Sequence, residues 1–155
     1  MNIAVFEPYL SGSHKCWLRG LRQHTVHRIS SYELPGSFWK WRMHGAAVTF
    51  ARMFLSQHTD ADLLLATDML DLATFLGLTR IQTDQMPSAV YFHENQLTYP
   101  PPPGSKRDLH YAYINYTSAL AADRVFFNSE FHRRDFLSEL PRLLKHFPDY
   151  NELDT

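Results

Sequence analysis

The sequence has a single cysteine, Cys16, among its 155 residues. No internal disulfide can form, which points to an intracellular, cytoplasmic setting. No apolar run approaches the ~20 residues that a membrane-spanning helix needs. The opening stretch MNIAVFE carries no basic region ahead of a long apolar one, so it reads as a first strand rather than a signal peptide. Charge of one sign is missing as well: Lys plus Arg is 15, Asp plus Glu is 16, and the net charge is -1. That balance excludes a domain-wide basic surface for nucleic acid and leaves room for a local patch. The glycines needed for a dinucleotide fingerprint or a P-loop are absent. So are Cys-x-x-Cys and His-Glu-x-x-His, and the nine histidines suggest no zinc site. There is no internal repeat.

What remains reads as one globular domain, 45% hydrophobic and 20% charged, long enough to enclose a core. Apolar runs at residues 3–6, 62–67, 88–92 and 124–127 have the length of buried strands, with a weaker one at 27–32. Helical patterns fall between them. They cover residues 14–22 and 39–57, a short stretch from Asp71 through Leu76, and the stretch from Asp108 to Ala122. Ser129 opens a final helix that Pro141 should kink or divide. Leu34-Pro35-Gly36 reads as a turn, residues 82–86 and 100–106 as mobile loops, and 150–155 as a polar tail. Strands alternating with helices give the fold class: α/β, a Rossmann-like doubly wound parallel sheet over residues 1–149. Runs 3–6, 63–66, 89–92 and 125–127 are expected at its buried centre. The loops after them should share one edge, where such sheets bind ligands.

Five segments fall at those loops. Residues 91–100, YFHENQLTYP, pass from a buried strand straight into His93-Glu94-Asn95-Gln96. Histidine has the side chain whose ordinary pKa lies nearest neutrality, and a neighbouring carboxylate can tune it. Adjacent residues on an extended chain face opposite ways, so His93 and Glu94 should not form one dyad; one faces the cleft and the other supports the loop. Prolines 100–103 and Gly104 then hold the chain extended. The loop Ser11-Gly12-Ser13-His14-Lys15 lets backbone approach a ligand and offers helix N–H groups to phosphate. The alternative is a plain turn capped by Ser13. Asp68 is placed to accept from a hydroxyl, unless it or Asp71 caps the next helix. Asn128 and Ser129 again follow a strand and open a helix, where ordinary capping is equally open. In residues 34–42, Trp39 and Trp41 alternate with Lys40 and Arg42. This pattern either stacks on bases while the cations meet phosphate, or plugs the core edge. Asp60-Ala61-Asp62 has the acid-x-acid form of some metal-dependent transferases, but it precedes its strand, at the wrong end for a ligand cleft.

Together, GSHK, LPGSFWKWR, YFHENQLTYP, RDLHYAY and FNSEF resemble the amino-terminal half of the tRNA-queuosine α-mannosyltransferases, over Met1 to about Asp149. The resemblance implies a retaining transferase of the two-Rossmann-domain GT-B architecture. It implies transfer of mannose from GDP-mannose to queuosine in the anticodon of aspartate tRNA. The nucleotide sugar and the tRNA are then the expected partners, with no bound metal or other cofactor. By the same correspondence Gly12, Ser13, His14 and Lys15 face phosphate, and His93 sits near the transferred sugar as the catalytic residue. Asp68, Glu94, Asn95, Asn128 and Ser129 complete the substrate side, and Trp39, Lys40, Trp41 and Arg42 are candidates for RNA. The family's donor-binding half, with its pair of glutamates, is absent, and Glu130 and Glu139 do not replace it. The chain alone is therefore expected to catalyse poorly or not at all. The alternatives are a GT-B transferase with a lipid or glycan acceptor, and a non-catalytic Rossmann-like binding module.

Overall fold

A computed structural model describes residues 1–57, 59–101, 104 and 106–151. Prolines 102 and 103 of the expected extended stretch, and residues 152–155 of the expected tail, lie outside the described residues. The elements alternate: β1 (Asn2–Leu10), α1 (Gly12–His24), β2 (Arg28–Pro35), α2 (Trp39–Leu55), β3 (Leu63–Thr67), α3 (Leu72–Thr83), β4 (Ser88–Phe92), α4 (Leu109–Ala121), β5 (Arg124–Phe127) and α5 (Glu130–Leu144). The five strands pair in parallel throughout, in the order β2-β1-β3-β4-β5. This is the Rossmann-like arrangement, with the chain's first strand inside the sheet and its strand ends at one edge.

The core forms where α2 and α3 cover the sheet. Phe6 of β1 lies 4.5–5.9 Å, centroid to centroid, from Phe75, Tyr32, Phe50 and Phe54. On α2, Ala46, Ala47, Phe50, Ala51 and Phe54 are buried, so small residues bring the helix close while two rings fill the gap. Removing one such ring should cost about 3–5 kcal/mol. α3, α4 and α5 start where the sequence suggests, because Asp71, Asp108 and Ser129 accept the N–H groups of Thr74, His110 and His132.

Four expectations are corrected. β5 is an edge strand, not a central one, with Phe126 exposed and Val125 and Phe127 half-buried. β2 runs on through Leu34 and Pro35, where a turn is expected from the Pro-Gly pair. It lies at the other edge of the sheet, so Pro35 can end it without breaking an inner ladder. Pro141 does not divide α5. It sits in the last turn, where its missing N–H removes one bond and the helix is about to end. Gln82 and Thr83 belong to α3, which shortens the loop expected there.

Candidate functional site

The loops after β1, β3, β4 and β5 meet at the carboxyl edge of the sheet, and hydrogen bonds tie three of them together. Asp68, after β3, accepts from the His93 backbone N–H at 2.9 Å. Asn128, after β5, donates to the His93 carbonyl at 2.6 Å and also accepts at Oδ1 from Ser129. Asn115 of α4 donates to the Asp68 carbonyl. Asn95 receives the N–H groups of Leu97 and Thr98. Asp68 and Asn95 are thus buried and spent on shaping the loop, while Asn128 and Ser129 are exposed and hold it from the β5 side. Burial pushes the Asp68 carboxyl up to about 8, against the pull of His14 and the His93 N–H.

A cleft of about 710 Å³ opens at this edge. Its walls include Tyr9 of β1, Ser11, Gly12, Ser13 and His14 after it, Trp39 and Lys40 of α2, Glu94 and Gln96 after β4, and Lys106, Arg107 and Tyr111. Gly12 has φ +48, a left-handed conformation that glycine adopts without strain. The β2–α2 turn presses on this loop: a Cβ on Gly36 would lie 2.3 Å from Ser11 Cβ. Unlike α3, α4 and α5, α1 has neither a side-chain cap nor an acid in its first turn. Its first N–H groups are therefore available to an anion.

Beneath the cleft lies a group that the sequence left scattered. Glu7, fully buried at the end of the regular part of β1, accepts the Tyr9 N–H at 2.9 Å. His14 Nδ1 lies 3.0 and 3.1 Å from its two oxygens, and His93 Nε2 lies 3.8 Å from Oε2. The two imidazoles overlap, with centroids 3.9 Å apart at 33°. Trp17 and Tyr91 stack on each other at 4.7 Å and meet the His93 ring edge-on. Burial alone would lower the His14 pKa, but the Glu7 hydrogen bond and charge outweigh it and the net shift is upward. Burial and the nearby His14 and His132 hold His93 down at about 3.

The expected division between neighbours at residues 93 and 94 is therefore present in a definite sense. Glu94 lines the cleft, while the His93 ring turns inward beneath the lining residues, with 6% of its side chain accessible. Sequence reasoning missed Glu7; the available signal was a charged residue within a strand next to a proline. The ligand-type atoms of Glu7, His14 and His93 all lie within 4.8 Å of one another, the spacing of a cation site. His14 Nδ1 already sits astride both carboxylate oxygens, the geometry of a complete ion pair, so a cation would have to replace that proton.

The tryptophan segment divides. Trp39 packs on Tyr111 at 4.9 Å with the Lys40 ammonium over both rings, and Trp39 and Lys40 line the cleft. Trp41 and Phe38 project outward, 73% and 76% exposed, and Phe38 holds a left-handed φ of 54. Arg42 donates to the Pro35 carbonyl and clamps the β2–α2 turn. Lys15 is exposed and lies outside the cleft wall.

A parallel sheet with helices between its strands, and a charged cleft built from the loops at its carboxyl edge, define a Rossmann-like α/β domain. The particular family follows from comparison. The family model described as tRNA-queuosine alpha-mannosyltransferase N-terminal matches residues 2–155, and the chain belongs to that family. The tRNA-queuosine alpha-mannosyltransferase of Drosophila melanogaster is 37% identical over 150 residues, which are 96% of this chain. The chain spans 39% of that relative's length. No solved structure matches. Among the described residues, no helix is long and apolar enough to cross a membrane.

Proposed function

We propose that this chain is the amino-terminal, acceptor-side domain of a cytoplasmic GT-B mannosyltransferase that moves mannose from GDP-mannose to queuosine in tRNA-Asp. Family membership supports the transferase class. The observation that carries the reading at the site is the uncapped, acid-free start of α1, which opens with Gly12 and Ser13 into a cleft walled by Lys40, Lys106 and Arg107. Backbone N–H groups and cations suit the diphosphate of a nucleotide sugar.

A retaining transfer builds positive charge at the anomeric carbon and negative charge on the departing diphosphate. The protein's task is to orient the sugar and to stabilise that separation. Gly12, Ser13 and His14 face the diphosphate in this reading, and Lys15 adds charge from outside the wall. Glu94 and Gln96, at the opposite wall, are placed to hold sugar hydroxyls. His93 orients the sugar from beneath the cleft through the groups above it. The remaining nucleotide contacts fall to a second domain, as in other two-domain transferases.

The test is a transfer assay on the full-length protein, with several nucleotide sugars and with queuosine-containing or queuosine-free tRNA. Labelled mannose in tRNA only when both GDP-mannose and queuosine are present supports the reading. Incorporation into a lipid or glycan, or none with any sugar, overturns it.

A further inference from the structure

We propose that Glu7 is a positioning residue that gives the two stacked histidines opposite states: His14 a charged imidazolium that faces an anionic ligand group, His93 a neutral imidazole that supports it from below. One carboxylate, fully buried, faces two imidazoles that overlap at 3.9 Å. A single negative charge can neutralise one imidazolium, and two imidazolium rings in that contact would repel each other.

The geometry says which ring takes the charge. His14 Nδ1 is within hydrogen-bond distance of both Glu7 oxygens, whereas His93 Nε2 reaches only 3.8 Å and has no hydrogen-bond partner. Glu7 also fixes the orientation of His14. With the Nδ1 edge committed to the carboxylate, the Nε2 edge is left for a ligand in the cleft that His14 lines. The other titratable groups around the pair are Tyr9 of β1, which meets the His14 ring edge-on, Asp68 after β3, Tyr91 of β4, Glu94 after it, and His132 of α5. The Glu94 charge favours the same charged state of His14, whereas Asp68, pushed up to about 8 by burial, is mostly protonated at neutral pH.

This device goes beyond the transferase reading in its charge states, and rests on it only for naming the anion as a diphosphate. It is tested on ¹⁵N-labelled protein by two-bond ¹H–¹⁵N spectra of the histidine rings, assigned with His14→Gln and His93→Gln. At neutral pH His14 should show both ring nitrogens protonated, and His93 a single neutral tautomer that does not titrate when the sample is acidified to about pH 5. Glu7→Gln should leave His14 neutral at pH 7 and free its tautomer, while the exposed His24 is unchanged.

A neutral His14 in the wild type, joint titration of both rings near the ordinary 6.5, or an unmoved His14 in Glu7→Gln would overturn the proposal. A chelator-reversible change at both rings would also overturn it, in favour of a bound cation. If Glu7→Gln does not fold, the wild-type spectra still decide. Pyrophosphate is the ligand probe. It should shift His14 Nε2 in the wild type; the right charge states with no response to pyrophosphate would count against the diphosphate assignment and leave the positioning role standing.

Discussion

A neutral ring beneath a charged one makes stability depend on pH in a defined direction. His93 is held at about 3, first by burial and then by His14, whereas the unfolded chain takes up that proton near 6.5. The stability contributed by neutral His93 is therefore complete above about 6.5 and drains away as pH falls towards about 3. His14 runs the other way. Its pKa is raised, so its contribution is complete below about 6.5 and is lost as pH rises through the folded value. Urea-unfolding midpoints between about pH 4 and 7 should fall on acidification in the wild type and fall less in His93→Asn, because carboxylate titration is common to both. Parallel curves would contradict the neutral assignment. Activity should follow the same hierarchy in the full-length enzyme: His93→Ala and His14→Ala should each lower turnover about a hundredfold, the scale of a lost catalytic group. Turnover within a few-fold of wild type in folded His93→Ala would reduce that residue to packing. His93 was legible from the sequence because polar residues directly after a buried run mark a strand's carboxyl end. Its inward direction was not, because that depends on Glu7, 86 positions away in sequence and adjacent only once β1, β3 and β4 are in register.

Among the elements, α1, like α2, gives up stability that α3, α4 and α5 keep. Asp71, Asp108 and Ser129 cap α3, α4 and α5, while Ser11 makes no side-chain cap bond and the first turn of α1 has no acid. Ser13→Asp should therefore stabilise the helix by about 0.3–1 kcal/mol, since an acid suits its positive end. The same substitution should abolish binding of pyrophosphate at the cleft, through charge of the wrong sign. Thermal unfolding and a pyrophosphate titration check both halves; anion affinity unchanged by the new carboxylate would remove α1 from the phosphate site. Gly36 provides a second check on this loop, because its added methyl would meet Ser11 Cβ at 2.3 Å, closer than real Cβ contacts come. Gly36→Ala should displace the Ser11–Gly12 turn and weaken anion binding with little loss in the distant core. The strands were readable from apolar runs, since buried parallel strands are nearly continuous in Val, Ile, Leu and Phe. Edges were not: β5 has the composition of a central strand, yet nothing pairs with its outer side among the described residues. β2 extends to the proline of the Pro-Gly pair because an edge strand tolerates the missing N–H.

At the scale of the whole molecule, an almost neutral chain that meets RNA, as proposed, has to do so through a local patch, and the structure sorts the candidates for that patch. Lys40, Lys106 and Arg107 share the cleft wall, where the Arg107 guanidinium also donates to the Thr98 and Tyr99 carbonyls. Arg42 lies outside that wall, and its guanidinium donates to the Pro35 carbonyl. Trp39 is packed on Tyr111, whereas Trp41 stands free beside it in sequence. We expect three distinct behaviours from four substitutions tested against tRNA with the full-length protein. Lys40→Ala and Lys106→Ala should each weaken binding and lower the salt slope by about one unit, the signature of a lost phosphate contact. Trp41→Ala should cost about 1–3 kcal/mol of affinity with an unchanged slope, because stacking releases no counterions. Arg42→Ala should leave the slope alone and instead loosen the turn that presses on the Ser11–Gly12 loop. A slope that falls for Arg42→Ala but not for Lys40→Ala would invert this assignment and place the RNA on the outer face of α2, away from the cleft.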